Sequence, residues 1–325
     1  MRAAQCLAYG PPEDVVVVDL PDPVPGPDEV LVDIHYGAVN FPDVLICSND
    51  YQISVPVPFI PGSEFAGVVA EVGEGVTQWS AGDRVSGSTF VGAFAERIVM
   101  NQHGVRPVPA GADLREAAGL GVAHVTAYHC LRTVADVQPG ETVLVLGAGG
   151  GVGLAAVELA TILGGQVVAA ARGADKLAVC TKYGAVATID YATEDLKTRA
   201  KELTGGGADV VIDTVGGPYS EAALRATRFG SRFVVVGFAS GEIPRIPLNL
   251  VLLKGTIVRG MEIRTIQENL PEEAARDRRE VDELFAAGRI HPHISAVHPL
   301  GETAVALRSM LERAAVGKVL IDSRA

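Results

Sequence analysis

Three glycines spaced three residues apart, Gly147, Gly150 and Gly153, close the stretch TVLVLGAGGGVG that runs from Thr142. Glycine carries no Cβ, so a turn built from it can bend tightly and bring its N–H groups close to a phosphate. Val143 to Leu146 are aliphatic and too few for a helix; they read as a buried parallel strand. Leu154 to Leu163, rich in Ala, Leu, Val and Glu, reads as a helix. A glycine run alone would fit a flexible loop. Between a strand and a helix it reads as the first unit of a dinucleotide-binding fold, with a pyrophosphate at the helix N-terminus. Gly147 and Gly150 then serve the turn and the close approach, and Gly153 the packing of helix on strand. Gly151 and Val152 complete the turn, and Ala148 stands where the usual fingerprint has its first glycine.

The next strand, QVVAAA from Gln166, bears on which dinucleotide. An acid at its end would accept from a ribose 2′-OH and repel a 2′-phosphate. Ala171 and Arg172 occupy that place, with Lys176 four residues on. The two cations also fit a solvated pair at a helix start. With the acid missing, they favour NADPH.

The elements that would hold these residues fall into three stretches. Residues 1 to about 118 are rich in Pro and Gly, with short strand-like runs at Val15–Val18, Val30–Ile34, Gly67–Val72, Arg84–Gly87 and Glu96–Met100. Such punctuation suggests a small β-barrel-like domain. Residues 119 to about 264 alternate strand and helix, with strands at Thr142–Leu146, Val167–Ala171, Ala187–Ile189, Val210–Asp213, Arg232–Val236 and Thr256–Arg259. Six strands with helical crossovers predict a doubly wound parallel sheet, so the fold class is α/β. A charged helix at Pro271–Ala287, a strand at Ile294–Val297, a helix at Glu302–Arg313 and a strand at Lys318–Ile321 make a tail that rejoins the first domain.

The 325 residues are 48% hydrophobic, enough for two cores, and carry a net charge of −12. An acidic balance disfavours a nucleic-acid footprint. Cys6, Cys47, Cys130 and Cys180 form no C-x-x-C pair, so neither a zinc cluster nor a redox dithiol is suggested. No signal-peptide pattern and no transmembrane-length apolar run is visible, which points to a soluble cytoplasmic protein. His124 and His129 are five apart and do not share a helical face. His291 and His293 lie in a polar turn.

Val39-Asn40-Phe41-Pro42-Asp43, the run Pro61 to Gly67 (PGSEFAG), Gly82-Asp83-Arg84-Val85 and Gly150-Gly151-Val152-Gly153 together resemble the medium-chain dehydrogenase/reductase superfamily. Within it they look like the zinc-independent quinone oxidoreductase branch that includes zeta-crystallin. The resemblance implies a GroES-like β-barrel domain at 1–121 and 265–325 and a Rossmann NADPH-binding domain at 122–264. Zinc-dependent relatives place a Cys near the Asn40 position and a His just before the Glu of P-G-x-E. Here those places hold Asn40 and Ser63, poor zinc ligands, so no metal site is expected. Without a Lewis acid, an acceptor that is already conjugated, a quinone or an enone, is the more credible substrate.

The resemblance also implies roles. Tyr51 would hold a quinone oxygen, and Asn40 would hydrogen-bond substrate or ribose. Asp43 would orient neighbours, although a helix cap also suits it. Glu64 would be structural. Thr126 would meet the nicotinamide, with Val125 replacing the usual preceding Gly. Lys176 and Tyr191, with Arg172, would hold the 2′-phosphate, and Phe238 would line the nicotinamide side. Arg313 and Lys318 lie in a tail motif that often reaches the cofactor, and both also fit exposed surface cations. The expected activity is NADPH-dependent hydride transfer to quinones, in a homodimer with no nucleic-acid or membrane partner. An enoyl or alkenal double-bond reductase, or a non-catalytic NADPH- or RNA-binding crystallin-like protein, stands as the alternative.

Overall fold

The computed structural model describes every residue, Met1–Ala325. It divides into two units: Met1–Val122 together with His291–Ala325, and Ala123–Ile290.

The first unit begins with the antiparallel pair β1 (Arg2–Cys6) and β2 (Val15–Asp19). Then follow β3 (Glu29–Val39), α1 (Phe41–Ser48), β4 (Glu64–Val72), β5 (Arg84–Ser88), β6 (Arg97–Asn101), β7 (Val105–Pro107) and α2 (Leu114–Ala118). β3 sets Val30, Val32 and Ile34 two residues apart on the face that packs into the core, and Leu31 between them is buried as well. It is long enough to pair with β6 near its start and with β4 along most of its length.

The second unit opens with α3 (Ala123–Tyr128), which widens into a π-type turn at His129–Val134. The sheet strands and crossovers alternate from there. They are β8 (Thr142–Leu146), α4 (Gly151–Ile162), β9 (Gln166–Ala171), α5 (Ala174–Lys182), β10 (Ala187–Asp190) and α6 (Leu196–Leu203). Next come β11 (Ala208–Asp213), α7 (Pro218–Arg225), β12 (Thr227–Val235), α8 (Leu248–Lys254) and β13 (Ile257–Gly260). All pairs are parallel, in the order β10-β9-β8-β11-β12-β13. That is the doubly wound order whose direction reverses between β8 and β11, where ligands bind at the strands' carboxyl ends. Val143–Leu146 and Val210–Ile212 are fully buried, because helices cover both faces of a parallel sheet. α9 (Ile263–Asn269) and α10 (Pro271–Ala286) complete this unit.

The chain then returns to the first unit with β14 (Ile294–Pro299), α11 (Thr303–Leu311) and β15 (Lys318–Asp322). β15 pairs with β14 and with β3, giving a seven-stranded sheet ordered β14-β15-β3-β4-β5-β7 with β6 on β3.

Two boundaries differ from the sequence reading. The return falls at His291 rather than at 265. The reason is Asp277 on α10, fully buried in the second unit. Its carboxylate lies 2.8 Å from His129 Nδ1, accepts from Thr133 Oγ1 at 2.5 Å, and is bridged by the neighbouring Arg276. Burial pushes its pKa up, but the three donors outweigh that and hold it below the usual carboxylate range. His129 and His124 therefore share no face and each meets its own carboxylate; His124 Nε2 lies 3.0 Å from Glu158 on α4. The second difference is that α4 starts at Gly151, so Gly151, Val152 and Gly153 lie inside its first turn.

Candidate functional site

The glycines divide their work as their surroundings require. Gly147 has φ +68°, a left-handed conformation that favours glycine. A Cβ there would lie 2.4 Å from Thr214 Oγ1, because the turn after β8 touches the turn after β11. A Cβ on Gly153 would lie 2.1 Å from the carbonyl oxygen of Gly147. Its packing is thus against the turn itself rather than the strand. Gly150, the residue before α4, has φ −86°, and a Cβ there would meet nothing nearer than 3.4 Å. Protein packing does not require glycine at 150, but close approach by a ligand would. The first-turn N–H groups of Gly151, Val152 and Gly153 have no acceptor within their helix, and the helix dipole favours an anion there. This cradle fits a pyrophosphate.

At the ends of β9 and β10 the structure gathers Arg172, Lys176 and Tyr191. Arg172 is exposed and Lys176 half-buried. A Cβ on Gly149 would lie 2.7 Å from Lys176 Cβ, so the lysine stem leans on the glycine turn. Tyr191 donates its N–H to the Ala171 carbonyl at 3.3 Å and stacks its ring, tilted, 4.5 Å from that of Tyr219. The sequence reading passed over one residue here. Asp190 is paired in register with Ala171, and its carboxylate accepts from Gly173 N at 3.3 Å and Ala192 N at 3.0 Å. An acid is present at this corner, on the third strand rather than the second.

Asp213, at the end of β11, was also read only as a strand end. It is buried and accepts from the N–H groups of Val215 and Gly216, both at 2.9 Å, and from Ser220 Oγ at 2.5 Å. These bonds fix the Gly216-Gly217 turn, where both glycines have positive φ. A Cβ on Gly216 would lie 2.8 Å from Phe238 Cδ1, so Phe238, itself partly exposed, covers that turn. Thr126 is buried in α3.

The first unit holds a second cluster, buried and charged. Lys318 opens β15 and is 2% exposed, not a surface cation. Its ammonium donates to Asn40 Oδ1 at 2.6 Å, Glu64 Oε1 at 2.7 Å and the Val39 carbonyl at 3.0 Å. Asn40 Nδ2 donates to Glu64 Oε1 at 2.9 Å and to Ser63 Oγ at 3.2 Å. Glu64 accepts on its other oxygen from Val122 N at 2.8 Å. The Asn40 amide is thus engaged within the chain by Lys318, Glu64 and Ser63. Asp43 Oδ2 caps α1 by accepting from Asn40 N at 2.7 Å, while Oδ1 is buried without a partner. Burial raises its pKa to about 7, against the opposing pull of the Asn40 N–H, the Ser63 hydroxyl and the Lys318 charge. Tyr51 follows α1, half-buried, its ring centroid 6.1 Å from Phe90. Arg313 is exposed just past α11, with φ +55°. No three His, Cys, Asp or Glu side chains are placed to hold a metal ion.

Comparison with known proteins agrees with this arrangement. Residues 26–110 match the alcohol dehydrogenase GroES-like domain family, and residues 151–277 the zinc-binding dehydrogenase family. Quinone oxidoreductase-like protein 2 of Bos taurus is 40% identical over 99% of this chain and 92% of its own length. The crystal structure of Escherichia coli quinone oxidoreductase complexed with NADPH is 29% identical, with a TM-score of 0.90 over 99% of this chain and 100% of that one. A structure described as an NAD-dependent alcohol dehydrogenase is 30% identical, again with a TM-score of 0.90, over 99% of each chain. With a GroES-like domain, a Rossmann sheet and this degree of identity, the chain belongs to the quinone oxidoreductase branch of the medium-chain dehydrogenase/reductase superfamily.

Proposed function

We propose that this protein is an NADPH-dependent oxidoreductase that reduces quinones without a metal ion. The observation that carries the reading is the glycine turn leading into α4 with two cations, Arg172 and Lys176, at the end of the next strand. The α4 N-terminus and the turn would hold the pyrophosphate, and Arg172, Lys176 and Tyr191 the 2′-phosphate. Thr126 and Phe238 would flank the nicotinamide end, and Arg313 is kept as an outer cofactor contact. When bound, NADPH supplies a hydride to the acceptor. Tyr51 would hold the acceptor's oxygen through its hydroxyl, and Tyr51 or solvent would supply the proton, while Asn40 and Asp43 keep the start of α1 in place.

The reading without zinc is supported by the donor chemistry of the first unit. The group formed by Asn40, Ser63 and Glu64 already contains the Lys318 ammonium, so a divalent cation added there would meet a buried positive charge. Without a Lewis acid, an acceptor whose reduced oxyanion is delocalised is favoured.

NADPH oxidation measured with 1,4-benzoquinone, 9,10-phenanthrenequinone and crotonyl thioesters, with and without chelator, tests this directly. Chelator-insensitive turnover of the quinones is expected. Faster turnover of the thioesters would favour the enoyl reductase alternative, and no turnover with any acceptor the non-catalytic one. Tyr51→Phe should lower kcat/KM for quinones about tenfold or more and leave NADPH affinity intact; unchanged kinetics would remove Tyr51 from the mechanism.

A second copy of the chain is the partner proposed. β13 is the edge of the six-stranded sheet, with Ile257 and Val258 exposed, and Leu252 on the adjacent α8 is 79% exposed. An unpaired apolar edge invites pairing with another strand. Sedimentation of the wild type against Leu252→Glu with Leu253→Glu should show a dimer converted to monomer.

A further inference from the structure

We propose that Asp190 sets the coenzyme discrimination of this chain by taking, from the third strand, the place of the missing second-strand acid. This rests on the NADPH reading above and narrows it: the chain is expected to accept NADH as well.

The register of the sheet brings the acid there. β9 and β10 are parallel neighbours and Asp190 lies opposite Ala171, so adjacent strands about 4.8 Å apart end side by side. Asp190 Oδ2 accepts from Gly173 N, one residue beyond Arg172, and Oδ1 from Ala192 N. The carboxylate is therefore fixed at the carboxyl end of the sheet, between the turn that carries Arg172 and the segment that carries Tyr191. Its own N–H is held by Glu194 Oε2 at 2.8 Å, which fixes this corner from the other side. Each carboxylate oxygen can accept a second bond, so a ribose hydroxyl could be received here as a second-strand acid receives it.

The charges at this corner partly offset one another. Arg172 and Lys176 attract a 2′-phosphate; Asp190 opposes it and favours a free 2′-hydroxyl. Glu194, the other nearby acid, is paired with Arg199 at 2.7 Å, and Asp175 sits exposed in the first turn of α5. Two cations against a fixed acid make a site that prefers the phosphorylated coenzyme weakly. Sequence comparison along the second strand alone would predict a strong preference.

Calorimetric titration of the full-length protein with 2′,5′-ADP and with 5′-AMP tests this at the adenosine end alone. Asp190→Asn removes the charge and keeps a side-chain oxygen for one of the two backbone donors. It is expected to bind 2′,5′-ADP roughly fivefold tighter and 5′-AMP more weakly, with the gain shrinking as salt is raised. Intact NADPH and NADH should follow the same order. Equal weakening of both fragments would mean that Asp190 is only a brace for the turn, and no change in either would mean that it lies outside the site; each result overturns the proposal. Failure of the wild type to bind either fragment or either coenzyme would overturn the NADPH reading along with it.

Discussion

Lys318 and Glu64 form a buried ion pair, 2.7 Å between Nζ and Oε1, between residues 254 positions apart in the chain. Neither side chain reaches solvent, and each has further hydrogen-bond partners in Asn40, Val39 and Val122. Removing one member would leave a buried charge without its counter-ion. Lys318→Met should therefore cost about 3–5 kcal/mol in urea unfolding. Lys318→Met combined with Glu64→Gln should recover much of that loss. A single-variant loss below about 1 kcal/mol would show that the pair is solvated in solution.

Asp43 predicts a pH dependence. Burial raises its pKa from an ordinary 3.8 to about 7, so the folded chain holds this proton more tightly than the unfolded chain does. Between those values the folded state binds more protons, and stability falls as pH rises through the window. The fall from this group is at most about 1.4 kcal/mol per pH unit. Asp43→Asn keeps an acceptor for the Asn40 N–H and has nothing to titrate. Thermal melts from pH 4.5 to 7.5 should show a flatter profile for the variant than for the wild type; parallel profiles would contradict the assignment.

Gly150 and Gly153 should separate binding from folding. Gly153→Ala drives a methyl to 2.1 Å from the Gly147 carbonyl and should cost about 2 kcal/mol or more. Gly150→Ala meets nothing nearer than 3.4 Å and has an ordinary φ, so its stability should stay within about 0.5 kcal/mol of wild type. Its methyl would occupy the phosphate cradle, and NADPH affinity should fall tenfold or more. Tight NADPH binding by Gly150→Ala would place the pyrophosphate elsewhere.

Asp277 ties α10 to the π-type turn after α3 through His129, Thr133 and Arg276. Asp277→Ala leaves three donors without their acceptor and should destabilise the second unit by about 3 kcal/mol. Hydrogen exchange should show the amides of α10 and of 129–134 losing protection while β8 and β11 keep theirs. Uniform loss across the unit would argue against a local tie.

Much of this is legible in the sequence alone. Thr142–Leu146 was read to the residue, because a strand covered on both faces must be continuously apolar and its glycine turn must follow at once. The glycine turn between β8 and α4 is legible for the same reason: its requirements are local. What escaped reading was assembled from distant segments. Asn40 is read from sequence as a hydrogen-bonding partner of substrate or ribose, and nothing near it in sequence announces its bond to Lys318, a residue 278 positions later. Lys318 itself looked like a surface cation because nothing beside it in sequence announces burial. Asp190 was missed because the usual rule inspects the second strand, whereas strand order in the sheet is what sets the third strand's end beside it. Helix α10 was placed with the wrong unit because its charged pattern conceals one inward carboxylate.

The position of β15 governs the order in which the protein can be made. Lys318 and β15 emerge from the ribosome after every other strand of their sheet, yet Glu64 and one edge of β3 need them. The second unit is encoded in one unbroken stretch and can close while synthesis continues. Until β15 has been made, the nascent first unit carries an unneutralised acid and an open sheet margin. Synthesis of β15 is thus the step that lets this half of the molecule mature, and a chain that stops short of Lys318 never can.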